Sequence, residues 1–469
     1  MRAVSYSLAI TTTPSLILYC SRLTITAQHS SVLGCRFVSM ATTASVEERA
    51  AALYQGAILA PMVRACTTPL RTLAIKYGAG TVYTEELVDR AILESIRVVN
   101  NDLGTIDYIK DASKMSPKVQ RRLAKDGGPP VLLRIDRAVE GAKLVCQLGS
   151  GEPELALKAA LHVLKDVDAI DINMGCPRKF SVSGGMGSAL LQDPARACSI
   201  IRTLRENLSI PVSAKIRLLK DTAATVEFVT GLVKAGALAV AIHGRRVGDE
   251  GTTSADWKTL KEVVSICKAK FPHTHFLLNG DFYTRQEYTE FMTESGASGV
   301  LLGRPALYNT SIFRRPLTDA ASDIKCGYDS TLLLDKATVI QDYVREAVKY
   351  NVNHKNVKYV VCEMMSNRRT PSSRVHLMPL KFPGGQTVAS TCNCHNLQDI
   401  CKVWNVDYDT SVLKLRSEAP AGEHRYEDSY FLGTDTANNK QTKELLPLST
   451  VEDLADPPAK RVRVECEST

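Results

Sequence analysis

Short apolar segments rich in β-branched residues alternate with longer amphipathic segments from residue 57 to residue 304. The short segments have the length of buried strands and the longer ones have helical spacing, so the pattern predicts repeated β–α units. The eight predicted strands are residues 57–62, 81–85, 144–148, 169–173, 212–216, 239–243, 276–279 and 299–302. Predicted helices between them include residues 154–165, 194–207, 223–235 and 257–270.

Eight strands with intervening helices in about 250 residues have the size and rhythm of a TIM (β/α)8 barrel, which belongs to the α/β class. We place this barrel at residues 55–310. A doubly wound sheet is the alternative. It usually carries a glycine-rich dinucleotide fingerprint after its first strand, and Ala-Pro-Met-Val-Arg at residues 60–64 is not one.

The pattern changes after Pro305. Helices are predicted at residues 331–350, 357–365 and 397–404, which we group as a small helical domain over residues 311–405. Residues 406–469 are polar and acidic, and we expect them to be mostly disordered. The basic patch at residues 458–464 is a candidate nuclear-import signal.

Residues 1–46 contain three arginines and no acidic residue, which is typical of an organelle transit peptide. The equal alternative is a disordered or untranslated leader, with Met40 rather than Met1 as the start. We expect a cytoplasmic protein, or a mitochondrial or other organellar one if the leader is translated.

The net charge of +8 is unevenly distributed. Residues 418–469 carry six basic and eleven acidic residues, so the remainder is strongly basic. A basic body fits a polyanionic partner, although plain enzymes also show such an excess.

Residues 110–125 form a basic insert that contains six basic residues and one acidic residue. The pattern predicts either a solvent-exposed helix or an RNA-binding surface. In the second case Lys118, Arg121 and Arg122 are the candidate RNA-binding side chains.

Composition narrows the class of protein. The chain is 44% hydrophobic, as an ordinary globular protein is, and no apolar run reaches the length of a membrane span. Its thirteen cysteines are scattered without a framework, which favours reduced thiols. Cys392, Cys394, His395 and Cys401 do not have the spacing of a standard zinc module, so we predict no metal site.

Polar, cationic or glycine residues stand at the carboxyl end of nearly every predicted strand. In a TIM barrel these ends form one mouth that carries the reacting groups. The candidates are Pro61, Met62, Val63, Gln147, Lys215, Arg217, His243, Arg245, Asn279, Gly280, Asp281, Gly303 and Arg304. Glu85-Glu86 and Asn173 also end strands. Together they indicate a mouth built for a large, anionic, partly aromatic ligand.

That ligand can be narrowed to FMN. The loops after the last two strands often bind phosphate, and here they hold Asn279-Gly280-Asp281 and Gly303-Arg304. Lys215 and His243 can polarise an electron-rich ring, and Gln147 can pair with a pyrimidine-like edge. The bend at residues 60–62 can pack against a flavin, with ordinary core packing as the alternative.

Cys176 lies between Gly175 and Pro177 after the fourth strand. Glycine and proline constrain this loop. Because no catalytic triad or CxxC pair surrounds the thiol, a general acid facing the flavin is the coherent assignment.

These residues resemble the signature of the tRNA-dihydrouridine synthases. The strongest match is Asn-Met-Gly-Cys-Pro at residues 173–177, followed by Ser-Gly-Gly-Met-Gly-Ser-Ala-Leu-Leu at residues 183–191. Leu-Ala-Pro-Met-Val-Arg (59–64), Lys-Ile-Arg (215–217), His-Gly-Arg (243–245) and Asn-Gly (279–280) follow the same pattern. The Gly-Gly-Met-Gly variant is most similar to the eukaryotic branch that modifies position 20 of the D-loop.

The resemblance implies that NADPH, with NADH as the alternative, reduces FMN, and that the flavin delivers hydride to C6 of a tRNA uracil while Cys176 protonates C5. It also implies that the helical domain grips tRNA together with the barrel, with Arg217 and Arg245 as further RNA contacts. We expect a monomer. Nothing after Asn405 resembles the RNA-binding domain that some animal members append.

The sequence departs from the family pattern at two positions of the expected phosphate site, where Asp281 stands in place of a small residue and Pro305 in place of alanine.

Two other functions stay open from the residues alone. One is an FMN barrel acting on a free pyrimidine, which would not need a helical domain or a basic body. The other is a non-catalytic tRNA-binding protein, against which the presence of Cys176, Lys215 and His243 argues.

Overall fold

The computed structural model describes residues 44–125, 130–314, 333–366, 370–371, 382 and 384–408. Most of the predicted leader, the acidic tail beyond residue 408 and the candidate import signal lie outside the described residues, as does the side chain of Arg122. Among the described residues, no helix combines the length and apolarity needed to cross a lipid bilayer.

Twelve strands are present in the described residues. They are β1 Gly56–Leu59, β2 Thr81–Tyr83, β3 Leu87–Val88, β4 Ser95–Asn100, β5 Thr105–Lys110, β6 Val131–Ile135, β7 Leu144–Gly149, β8 Ala169–Asn173, β9 Val212–Arg217, β10 Ala239–His243, β11 His275–Asn279 and β12 Gly299–Leu302. Eight of them run parallel in the order β2-β1-β12-β11-β10-β9-β8-β7, and pairing between β2 and β7 closes the ring. The predicted TIM barrel is therefore confirmed.

The α-helices are α1 Val46–Leu53, α2 Thr68–Lys76, α3 Asp89–Leu93, α4 Pro117–Lys125, α5 Arg137–Glu140, α6 Pro153–Val163, α7 Lys179–Ser183, α8 Pro194–Asn207, α9 Thr222–Lys234, α10 Trp257–Lys270, α11 Arg285–Ser295, α12 Arg304–Tyr308, α13 Lys336–Lys349, α14 His354–Met364, α15 Val388–Cys392 and α16 Leu397–Trp404. The last four form the helical C-terminal region that the sequence predicts.

The first two strands end earlier than predicted. β1 stops at Leu59, since Pro61 has no N–H to continue the ladder. β2 stops at Tyr83, and after Glu85 and Glu86 the short strand β3 resumes pairing with β7. This break releases the two glutamates from the ladder at the barrel mouth.

The segment between β3 and β7, residues 89–143, includes the basic residues 110–125 and also a sheet that the pattern did not predict, and we call this whole segment the insert. β4, β5 and β6 pair as an antiparallel sheet, and the predicted basic helix is α4. Ion pairs between distant residues hold the insert together and to the barrel: Arg134 bonds Asp107 at 2.6 Å, and Arg97 bonds Asp166 at 2.7 Å. The Tyr108 hydroxyl also donates to Asp166 at 2.5 Å.

The helical region docks on the outside of the barrel through α13 and α2. Glu346 accepts from the Thr72 hydroxyl at 3.0 Å and pairs with Lys76, while the Tyr77 hydroxyl donates to Asp342 at 2.5 Å. Because these groups come from both parts, the barrel and the helices form one compact unit from residue 44 onward.

A second bridge joins the barrel mouth to α14. The Arg64 guanidinium lies 4.0 Å from the centre of the Tyr359 ring, and the Arg64 N–H donates to Glu85 at 2.6 Å. The backbone φ of Arg64 is +67°, an uncommon value for a residue with a side chain. The contact therefore holds the loop after β1 in a specific shape.

We expect Arg64→Ala to lower the free energy of unfolding by about 0.5–1 kcal/mol, the range of an exposed cation–π contact. Urea unfolding measures this difference. Tyr359→Phe keeps the aromatic face and should match the wild type. An equal loss in both variants would show that the ring face is not the stabilising element.

Candidate active site

The carboxyl ends of the barrel strands enclose one cavity of about 270 Å³. Because parallel strands of a closed barrel end on the same rim, groups far apart in the sequence meet there. The structure brings together every residue that the sequence assigned to catalysis or flavin binding: Pro61, Met62, Val63, Gln147, Cys176, Lys215, His243, Asn279, Gly280, Asp281, Gly303 and Arg304.

The loop that carries Cys176 is held by hydrogen bonds on both sides. The Asn173 side-chain oxygen accepts from the N–H groups of Gly175 and Cys176 at 3.0 and 2.9 Å. Arg217 donates to the Gly175 carbonyl at 2.8 Å, and the N–H of Ser188 donates to the Cys176 carbonyl at 2.9 Å. The thiol is therefore placed by backbone contacts.

The Cys176 thiol is half-buried beside the Glu86 carboxylate. Burial raises the pKa of Cys176, and the charge of Glu86 raises it further. Cys176 therefore stays protonated at neutral pH, as a proton donor must. Burial also raises the pKa of Glu86, and its Oε1 has no hydrogen-bond partner among the described residues.

Lys215 lies in the same cavity and faces this pair. Burial lowers its pKa to about 8, and Arg217 adds to that effect, while Asp171, Cys176 and Glu86 oppose it. The ammonium is therefore largely charged at neutral pH and can stabilise negative charge in the cavity.

We expect Glu86→Gln to accelerate alkylation of Cys176. The substitution removes the negative charge that raises the thiol pKa, so the thiolate fraction at pH 7–9 increases. Iodoacetamide labelling followed by mass spectrometry of the Cys176 peptide across this range measures the shift. Glu94→Gln, at an exposed carboxylate outside the cavity, is the matched control. An unchanged labelling profile in Glu86→Gln would contradict the assignment.

His243 is a neutral hydrogen-bonding group. Burial lowers its pKa well below the usual value, and the cations Lys215, Arg217, Arg245 and Arg304 lower it further. Arg245 lies 3.2 Å from His243 Nε2, and a guanidinium can only donate. Nε2 is therefore the acceptor, which leaves the proton of the neutral ring on Nδ1.

Asp281 binds two arginines, one from the loop after β10 and one from the start of α12. Its carboxylate accepts from Arg245 at 2.6 Å and from Arg304 at 2.8 Å, and also from the N–H of Ala255 at 2.8 Å. Asp281 is 7% exposed, and its φ is +56°, which a short polar residue tolerates better than most. The presence of aspartate at position 281, where the family pattern has a small residue, is therefore explained by its contacts with the two arginines and by its backbone conformation.

Gln147 is already engaged by neighbouring side chains. Its amide donates to Asp171 at 2.8 Å and accepts from Asn173 at 3.1 Å. Asp171 also accepts from Ser213 at 2.6 Å, and burial raises the pKa of Asp171 to about 6. The predicted pairing of Gln147 with a pyrimidine-like edge would have to use its remaining N–H and lone pair.

The predicted RNA contacts divide into two groups. Lys118 and Arg121 are exposed on α4, away from the cavity lining. Arg217 and Arg245 line the cavity, where Arg217 supports the Cys176 loop. Arg245 is 2% exposed and bonded to Asp281, so its placement favours a supporting role over direct RNA contact.

Two functional residues received no role from the sequence. Asn173 fixes the Cys176 loop, and Glu86 faces the thiol. Both follow strands, which was the available signal, but their partners depend on the break after β2 and on the loop geometry. Among the described residues, no three His, Cys, Asp or Glu side chains are grouped to hold a metal ion.

Fold and site together define a (β/α)8-barrel enzyme with a protonated thiol in a cationic mouth. The chain belongs to the dihydrouridine synthase (Dus) family, whose profile matches residues 58–375.

Similar proteins support this membership. A Schizosaccharomyces pombe tRNA-dihydrouridine(20) synthase is 34% identical over 314 residues, which span 66% of this chain and 59% of that protein. The Saccharomyces cerevisiae tRNA-dihydrouridine(20) synthase is 30% identical over 322 residues, spanning 66% of this chain and 77% of that protein. A Schizosaccharomyces pombe tRNA-dihydrouridine(16/17) synthase is 32% identical over 262 residues, 55% of this chain and 57% of that protein.

Proposed function

We propose that this protein reduces a uridine of tRNA to dihydrouridine at position 20 of the D-loop, using FMN and NADPH. The observation that carries the proposal is the convergence of Cys176, Lys215 and His243 with Asp281 and its two arginines in one cavity. Position 20 rests on the names of the two yeast relatives, and both names also include NAD(P)+.

The residues of the cavity fit FMN. One end is cationic, with Arg245 and Arg304 fixed by Asp281, and suits a phosphate. Ala60 and Met62 follow β1, the strand next to β12, and line the cavity beside this end. A Cβ on Gly303 would lie 3.8 Å from both the Ala60 Cβ and the Met62 Sδ, which is ordinary van der Waals contact, so these three residues form one apolar wall against which a flat ring can pack.

The two groups beside the ring position complement a flavin. Lys215 supplies a cation, and the Nδ1–H of neutral His243 supplies a donor. When bound there, FMN supplies the hydride that adds to C6 of the uracil, after reduction by NADPH.

The chain itself supplies the proton. Cys176 holds its S–H at neutral pH and delivers the proton to C5, so that hydride and proton together saturate the C5–C6 bond. The thiolate that remains lies near Lys215, whose ammonium offsets its charge. Solvent access to the half-buried thiol restores the proton.

The substrate must present the base outside its stack, because the thiol lies inside a cavity. Single-stranded loops of RNA allow this extrusion at low cost. The exposed cations of α4 and the helical region beside the barrel supply additional contacts for the phosphate backbone.

The test is reduction of an unmodified tRNA transcript by the purified, flavin-loaded protein with NADPH, with dihydrouridine mapped by position. Free uracil and uridine are assayed in parallel, and NADH replaces NADPH in one series. Equal turnover of free pyrimidines would favour the small-molecule oxidoreductase. Tight tRNA binding without any reduction would favour the non-catalytic binder.

A further inference from the structure

We propose that Phe180 is a stacking platform for a base adjacent to the target uridine, which makes the rim beside Cys176 a second RNA subsite. The inference rests on the proposed function, since it requires an extruded tRNA base in the cavity. It concerns a surface outside the cavity lining.

Phe180 is unusually exposed for a large aromatic residue. The residue is 57% accessible, the second highest value among the exposed large hydrophobic residues that the structure describes. It lies on α7, four residues after Cys176, and Pro177 between them lines the cavity. Val63, another lining residue, is 51% exposed on the loop after β1. The mouth is therefore bordered by apolar groups that the fold leaves uncovered.

The backbone that carries Phe180 is fixed relative to the Cys176 loop. Ser181, next to Phe180, is fully buried, and a Cβ on Gly187 would come within 2.4 Å of its Oγ and 2.6 Å of the Cys176 carbonyl. The N–H of Gly184 donates to the Phe180 carbonyl at 3.2 Å. Since the loop closes on itself between Cys176 and Ser188, a base stacked on Phe180 orders the exposed side chain but need not reorder the backbone.

The positive charge around Phe180 indicates which class of molecule binds there. Arg178 and Lys179 are exposed beside it, and residues 174–192 contain no acidic residue. An exposed aromatic ring flanked by cations matches single-stranded nucleic acid, in which bases stack on the ring and phosphates meet the cations. A protein or lipid partner would not explain why this surface borders the cavity that holds Cys176 and, by the proposed function, receives the target base.

The experiment compares the affinity of flavin-loaded variants for an unmodified tRNA transcript. Phe180→Ala should weaken binding by roughly 5- to 150-fold, the effect of losing one stacked base. Phe180→Tyr and Phe180→Trp keep a π face and should retain affinity, whereas Phe180→Leu keeps only apolar area and should not. Leu161→Ala, at a 41% exposed apolar residue on α6, is the matched control.

Flavin content and the unfolding midpoint should stay at wild-type values in every variant, because Phe180 is exposed and outside the cavity lining. Wild-type affinity in Phe180→Ala, or in Phe180→Leu, would overturn the platform while leaving the proposed reaction intact. A wild-type protein that neither binds nor reduces tRNA would remove both, and the wild-type sample alone reveals that case.

Discussion

Cys176→Ala should retain FMN and reduce tRNA about 10²- to 10⁴-fold more slowly than the wild type, the usual contribution of a positioned general acid. The loop should survive the change, since Asn173 and Ser188 bond its backbone rather than its sulfur. FMN binding should be retained because the cationic end of the cavity is built by Asp281 and two arginines, and not by Cys176. Single-turnover reduction of tRNA by the prereduced enzyme measures the effect.

The reductive half-reaction separates this role from a general defect. NADPH should bleach the flavin of Cys176→Ala at the wild-type rate, because no proton donor to uracil is needed there. Cys198→Ala, at a partly buried cysteine outside the cavity lining, should behave as wild type throughout. Full tRNA turnover in Cys176→Ala would mean that another group delivers the proton.

Asp281→Ala should abolish stable FMN binding and lower the free energy of unfolding by about 3–5 kcal/mol, the cost of breaking a buried ion pair. The carboxylate is the shared acceptor of Arg245, which is 2% exposed, and Arg304. Without it, two guanidiniums with like charge face each other and the loop after β11 loses its anchor. Urea unfolding of the flavin-free protein and a flavin fluorescence titration measure the two effects.

A surface carboxylate provides the contrast. Asp193→Ala removes the exposed N-cap of α8 and its ion pair with Arg196, and should cost about 1 kcal/mol without changing FMN affinity. Asp281→Asn keeps the shape but not the charge and should lie between Asp281→Ala and the wild type. Normal FMN affinity in Asp281→Ala would show that the arginines do not depend on this carboxylate.

The barrel was predictable because buried parallel strands have continuous apolar runs, and the strands at 169–173, 239–243 and 299–302 match the prediction to the residue. The insert sheet was not, because β4, β5 and β6 carry charged residues such as Arg97, Asp107 and Arg134. Their partners lie far away in sequence, so neither periodicity nor composition signals them.

The same distinction applies to the site. The lining residues were predictable because every parallel strand ends on one rim. The roles of Asp281 and Glu86 were not, since each depends on contacts between loops: Asp281 joins the loop after β10 to α12, and Glu86 meets Cys176 only because the second strand is interrupted. Side-chain pairing across loops leaves no local pattern in the chain.

The docking of α13 on α2 bears on how a large substrate can enter. Thr72, Lys76 and Tyr77 on one element are tied to Glu346 and Asp342 on the other, so the surface between barrel and helices is shaped in advance. A binding surface that is already fixed does not change shape when the substrate binds. Relative movement of the barrel and the helices is therefore restrained, so exposure of the target base has to come from a change in the RNA.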